Sequence, residues 1–220
     1  MDEPAAPIAA RSDEHARLRA GKISSSVAGI IASGGPQAWN TLLDKLRHER
    51  KEPRLFQEHT GIAALDHGTA TEPRARSAYL FATGLEPDAS LAWIPHGTLE
   101  LCGTSPDFVV QPDGFGEIKC PLLEHRHLRC FADGVPPEHG PQIWHHLEVR
   151  RQAAWLDFVS YQPFQPPALQ LFVARIHRAE IEEQLLAYRA RLIQFHELLE
   201  SGEEARRPSP SLELLDKLHF

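Results

Sequence analysis

The chain has 220 residues, of which 42% are apolar and 24% charged, with a formal net charge of -7; such values describe one globular domain with a core of its own and argue against a general nucleic-acid coat protein. No run of about 18 apolar residues is present to span a membrane, and the acidic, Pro-rich start Met1 to Pro7 lacks the basic and apolar regions of a secretory signal. The three cysteines, Cys102, Cys120 and Cys130, stand at no metal-binding spacing, so a reduced cytoplasmic protein is expected.

Charge is uneven along the chain. Residues 11–54 hold nine Lys/Arg against five Asp/Glu, a net of +4; residues 179–220 hold five against nine, a net of -4. A phosphate meets the local field rather than the total, so an acidic chain with a basic groove can bind DNA. Residues 1–12 are expected to be disordered. A helical pattern begins at Asp13 and Gly21 can stop it. Ser24 or Ser25 then caps a second helix with body Val27 to Ala32. Free amides, hydroxyls and the positive dipole end of such a cap attract phosphate. Arg19 is close in sequence, although an ordinary serine cap accounts for the same residues.

Ser33 to Pro36 is a turn, and a helix over 36–50 places Trp39, Leu42, Leu43 and Leu46 on one face. Arg47 to Arg54 is mostly basic, either a DNA contact or a solvated charge run. The stretch from His67 enters a helix with Pro73 in its first turn and Gly84 at its end. Glu72 near that helix start either favours the dipole or serves a metal site. Residues 90–102 are expected to form two short strands.

The stretch from Gly103 to Pro121 carries the chemistry. Phe108 to Val110 is a short apolar run, Pro112, Asp113 and Gly114 supply a turn, and Phe115 to Cys120 returns as a second strand. Glu117 and Lys119, two apart, share a strand face, while Ile118 points into the core. Asp107 comes alongside at the start of the first strand. Two close carboxylates repel unless a cation sits between them, and Mg²⁺ takes oxygen ligands of this kind. Solvated cross-strand Glu and Lys give the same pattern, so this stretch alone leaves both readings open.

Beyond it, helices are expected over Leu123 to Phe131 and Pro141 to Arg151, and strands over Ala154 to Tyr161 and Leu169 to Arg175. A long amphipathic helix follows over 178–200. The last stretch, 201–220, is a tail whose Leu212, Leu214, Leu215, Leu218 and Phe220 can dock on another surface. Trp39, Trp93, Trp144 and Trp155 are expected mostly in the core rather than stacked on bases.

Together these pieces resemble the phage lambda-type recombination exonucleases, the YqaJ-like group of the restriction-endonuclease-like superfamily. The likeness covers roughly residues 15–161. It rests on the segments Arg17 to Ser26, His67 to Arg76, Ser105 to Asp107, Glu117 to Pro121 and Pro141 to Leu147, in that order. This chain departs from many relatives at Phe108, where glycine is common after Ser-Pro-Asp, at Trp144, where a second glutamine is common, and at His15, where an aromatic residue is often found.

The resemblance implies an α/β fold, a mixed central β-sheet flanked by helices, with residues 13–200 as a single nuclease domain. It implies Asp107 and Glu117 as metal ligands, assisted by the Ile118 carbonyl, and Glu72 at a second metal directly or through water. Lys119 would position or deprotonate the attacking water, Gln142 would orient Lys119 or the water, and Arg19, Ser26 and Ser105 would hold a 5′-phosphate. Two Mg²⁺ ions, with Mn²⁺ as a substitute, would serve in-line phosphodiester hydrolysis. The expected activity is 5′-to-3′ digestion of one strand of linear double-stranded DNA to 5′-mononucleotides, leaving a 3′ overhang. A homotrimeric ring around the DNA, a single-strand annealing partner, and a phage or prophage origin in a bacterial cytoplasm are implied likewise.

Other readings are weaker on the residues. An iron–sulfur nuclease needs four cluster thiolates, and the chain has three cysteines. A metal hydrolase built on His139, His145 and His146 is disfavoured because adjacent helical side chains point about 100° apart. A non-catalytic DNA-binding or scaffolding relative has no need of the Asp107, Glu117 and Lys119 set; another nuclease of the same superfamily, such as an endonuclease, is a further alternative.

Overall fold

The computed structural model describes residues 12–53, 62–90 and 93–206. The expected disorder at the N-terminus, the end of the basic segment at Arg54 and the apolar tail Leu212 to Phe220 lie outside them. In chain order the helices are α1 (Asp13–Arg19), α2 (Ala28–Ser33), α3 (Pro36–Lys51), α4 (Ala63–Thr83), α5 (Glu124–Asp133), α6 (Gly140–Val149) and α7 (Glu182–Ser201). The strands are β1 (Ile94–Pro95), β2 (Gly103–Thr104), β3 (Phe108–Val110), β4 (Gly114–Lys119), β5 (Trp155–Tyr161) and β6 (Leu171–His177).

Strands β3 to β6 form one mixed sheet in that order. β3 and β4 are the expected antiparallel hairpin, with Phe108 opposite Gly116. β4 and β5 run parallel, with Glu117 opposite Phe158, which requires the crossover made by α5 and α6. β6 closes the sheet antiparallel to β5. Alternation on β4 sorts its side chains between two covered faces. Phe115 packs with Ile143 and Leu147 of α6 and Cys130 of α5. Ile118 packs on the opposite face with Ala75 and Tyr79 of α4, Phe108 and Val159. Glu117 and Lys119 therefore point towards α6 and Ile118 towards α4.

A third core joins α2, α3, the end of α6 and α7 through Ile31, Trp39, Leu43, Leu46, Val149, Leu192 and Phe195. The predicted apolar face of α3 is buried here. Two polar anchors position the helices. Tyr79 on α4 donates to Asp157 of β5 at 2.7 Å, and Arg175 of β6 grips the same carboxylate at 2.8 Å. Glu148 on α6, fully buried, accepts from Arg189 of α7 at 2.7 and 2.9 Å and from Arg151 at 2.8 Å.

Three local expectations are corrected. Pro73 is not in the first turn of its helix: α4 starts at Ala63 and Pro73 lies inside it. The N-cap residue of α4 is Ile62, whose side chain cannot accept a capping bond, so that position offered no signal in the sequence. The two strands expected within 90–102 shrink to two-residue pieces, the second beyond that window. The reason is His96, whose Nδ1 accepts from the amides of Thr98 and Leu99 and turns the chain. Ser24 begins a 3-10 turn over Ser25–Val27 that leads into α2, and its hydroxyl makes no capping bond. Gly21 does end the first helical stretch, at φ +65. A Cβ there would stand 2.0 Å from Arg50 Cγ as well as in a strained conformation.

Candidate active site

The end of the β3–β4 hairpin brings the predicted carboxylates and lysine together. The Asp107 amide donates to the Gly116 carbonyl at 3.2 Å, and the Ile118 amide donates to Asp107 Oδ2 at 2.6 Å. The Asp107 side chain is thus tied to the strand that carries Glu117. Lys119 Nζ lies 2.5 Å from Glu117 Oε1. Gln142, from the first turn of α6, bridges the two: its Nε2 donates to Glu117 Oε1 at 2.6 Å and its Oε1 accepts from Lys119 at 2.9 Å.

Glu117 is 3% exposed. Burial alone would raise its pKa, but Lys119 and His146 outweigh burial and hold it at about 2. Asp107 goes the other way. Burial first, then the charges of Glu117 and Glu72, push its carboxyl well above the usual range. Burial works against the charge on Lys119, yet Glu117 and Asp107 keep it an ammonium with a raised pKa. As placed, Lys119 donates to Glu117 and to Gln142. Glu72 on α4 pairs with Arg76 one turn on at 2.5 Å, and its charge is felt at both Asp107 and Cys120.

Arg19 and Ser26 lie apart from this cluster in a cavity of about 220 Å³, lined also by Lys22, Ser24, Lys45 and Glu49. Ser24 Oγ is 2.9 Å from Ser26 Oγ and 3.5 Å from Arg19 Nη2. Burial lowers the Arg19 pKa, against the pull of Glu49. Ser105 does not line the cavity; its hydroxyl lies 3.0 Å from His15 Nε2.

Sequence reasoning set His146 aside as a metal ligand and missed its contact with Glu117, and it missed Thr104. His146 Nε2 lies 2.8 Å from Glu117 Oε2, and its Nδ1 lies 2.7 Å from Thr104 Oγ1. The signal was the i, i+4 spacing of Gln142 and His146, which puts both on one face of α6. His145 turns elsewhere, to the Tyr188 hydroxyl at 2.7 Å and the Gly103 carbonyl at 2.9 Å. The two adjacent histidines share no target, as their angular separation predicts.

A family model described as a YqaJ-like viral recombinase domain matches residues 14–152. No curated protein matches the chain. Similar solved structures include LHK-Exo in complex with dAMP, 29% identical, covering 86% of this chain and 95% of that one at a TM-score of 0.71. The alkaline exonuclease LHK-Exo from Laribacter hongkongensis matches with the same identity and coverage at 0.69. A phage related exonuclease from Haemophilus somnus 129PT, 12% identical over 82% of this chain and 96% of that one, matches at 0.54 and shows the fold alone. Family and neighbours together support a DNA exonuclease role. The matched segment spans Arg19, Glu72, Asp107, Glu117, Lys119 and Gln142, and the chain belongs to the YqaJ-like viral recombinase domain family, with the mixed α/β fold of the alkaline exonucleases.

Proposed function

We propose that the chain is a Mg²⁺-dependent 5′-to-3′ exonuclease that digests one strand of linear double-stranded DNA to 5′-mononucleotides and leaves a 3′ overhang. The observation that carries this reading is the Glu117–Lys119–Gln142 contact set beside Asp107. LHK-Exo, similar in fold, has a structure in complex with dAMP, a mononucleotide of the class such hydrolysis releases.

The donor set fits a hard divalent ion. Among the described residues no three His, Cys, Asp or Glu side chains converge to hold a metal alone. Mg²⁺ needs no such cage, because it keeps several waters and takes one or two carboxylates plus substrate phosphates. Burial raises the Asp107 carboxyl most, and the charges of Glu117 and Glu72 raise it further; a cation would offset that negative charge. Asp107, Glu117 and the Ile118 carbonyl would hold one ion and Glu72 a second, with Mn²⁺ able to substitute. Bound ions supply charge for the attacking and leaving oxygens. Lys119 holds the attacking water or a phosphate oxygen, and Gln142 keeps Lys119 and Glu117 in register. Arg19, Ser24 and Ser26, with Lys22 and Lys45, form a basic cavity suited to a terminal 5′-phosphate.

The overall field of a chain of net charge -7 does not help to retain a duplex between cuts. A closed ring of three copies would make retention topological, and light scattering would then report three times 24.7 kDa, about 74 kDa. A single-strand annealing protein is the matching partner for the 3′ overhang, and a phage or prophage protein in a bacterial cytoplasm is the matching source.

The deciding experiment is digestion of linear duplex labelled separately at its 5′ and 3′ ends, with 5′-phosphate or 5′-hydroxyl termini, in Mg²⁺ or EDTA. The 5′ label should be released first, faster from phosphorylated ends, and only with Mg²⁺. Arg19→Ala should shrink the preference for phosphate. First release of the 3′ label, or equal rates in EDTA, would refute the reading.

A further inference from the structure

We propose that His146 is a positioning residue: together with Gln142 it clamps both oxygens of the Glu117 carboxylate from one face of α6 and sets the orientation in which that carboxylate meets a divalent cation. The inference rests on the metal reading of Asp107 and Glu117 given above and adds a residue to it.

The geometry is specific. Gln142 and His146 stand one helical turn apart on α6. Gln142 Nε2 reaches Glu117 Oε1 at 2.6 Å, and His146 Nε2 reaches Oε2 at 2.8 Å. A carboxylate held at one oxygen can still turn its plane; held at both by one helix face, it cannot. An ionised carboxylate only accepts, so the imidazole Nε2 carries a proton and donates. The other ring nitrogen meets the Thr104 hydroxyl at 2.7 Å, a group able to donate or accept.

His146 and Thr104 are both fully buried, so water does not compete for either bond. Lys119 occupies another direction on Oε1. A carboxylate offers about four lone-pair directions; Gln142 and Lys119 take those on Oε1 and His146 one on Oε2, which leaves the second direction of Oε2 for a cation. Hydrogen-bond partners of metal-binding carboxylates commonly set affinity in this manner, and their loss weakens binding about 10–100-fold.

A buried histidine that merely satisfies the core would lower stability on removal and leave ion binding by the folded protein unchanged. Titration calorimetry with Mn²⁺ on the full chain, without DNA, separates the two. His146→Ala, checked for folding by circular dichroism, should bind Mn²⁺ about 10–100-fold more weakly than wild type. His146→Gln keeps an amide able to donate to the same oxygen and should recover most of the loss. Thr104→Val leaves the ring in place but removes its second partner, and should weaken binding several-fold. Wild-type affinity in folded His146→Ala, or in Thr104→Val if the alanine variant does not fold, overturns the proposal. If the wild type binds no Mn²⁺ and is indistinguishable from Asp107→Asn, the metal reading itself falls instead.

Discussion

Replacing Gln142 by leucine removes, at nearly constant volume, an amide that touches both Glu117 and Lys119. Two hydrogen bonds are lost, of 2.6 Å to the carboxylate and 2.9 Å from the ammonium. A hydrogen bond to a charged group contributes about 1.5–3 kcal/mol. Gln142 is only half-buried, so water replaces part of what it supplied, and Lys119 keeps its direct contact with Glu117. The loss is therefore nearer to one such bond at the low end of that range than to two: about 1.5–2 kcal/mol. At about 1.4 kcal/mol per tenfold, that is a roughly 10–30-fold slower turnover at saturating Mg²⁺. The assay is release of acid-soluble nucleotide from a linear 5′-phosphorylated duplex, with a thermal melt of each protein alongside. Rates within about twofold of wild type at an unchanged melting temperature would refute the bridging role. A large drop in melting temperature matching the activity loss would make Gln142 scaffold rather than site.

Asp107 is raised by burial and by the charges of Glu117 and Glu72, so its ionised form costs the fold stability once pH exceeds the unfolded value. Asp107→Asn keeps an acceptor for the Ile118 amide; it should abolish hydrolysis yet raise the melting temperature in EDTA at pH 8, by about 2–4 °C per kcal/mol relieved. A lower melting temperature in EDTA would count against this. Burial lowers His145 to about 3, so the folded state keeps the ring neutral where the unfolded chain protonates it near 6.5. Stability should fall as pH drops from 6.5 towards 3, by on the order of 5 kcal/mol from this ring alone. Urea unfolding between pH 6.5 and 5, above the carboxylate range, should show the slope, and a flat profile there would contradict it. Gly116→Ala would place a Cβ 1.9 Å from the Phe108 ring, so a loss of about 1–3 kcal/mol on denaturation is expected; an unchanged midpoint would mean that β3 shifts freely.

Much of the scaffold was legible because its signals are local. The α3 stripe of Trp39, Leu42, Leu43 and Leu46 repeats at helical spacing, and the turn chemistry at Pro112 to Gly114 marked the hairpin. Alternation then aligned Glu117 with Lys119 and sent Ile118 to the other face. What stayed hidden depends on partners distant in the chain. His146 meets a carboxylate 29 residues earlier, and Glu148 meets Arg189 41 residues later. The spacing of Gln142 and His146 marks one face of α6, but no periodicity names the distant partner that either His146 or Glu148 meets. The shortened strands near residue 95 were hidden differently: the backbone there is turned by the His96 ring, a side chain acting on its own neighbours. Trp39 is core, as expected, whereas Trp155 lies under the Arg175 guanidinium at 3.6 Å, a contact that spacing does not reveal.

The short stretch around Ile23 is stitched to the stretch around Cys102 by two backbone bonds, from the Ile23 amide to Leu101 and from the Gly103 amide to Ile23. Lys22 and Ser24, on either side of Ile23, line the basic cavity, while Gly103 and Thr104 receive His145 and His146 of α6. The basic cavity and the anchorage of α6 thus hang on one seam. Local opening should therefore be all-or-none across it: the Ile23 and Gly103 amides should exchange their hydrogens with the same free energy of opening. On the function proposed above, warming would release a DNA end and disorder the carboxylates together, with no intermediate that still grips DNA but cannot cut it.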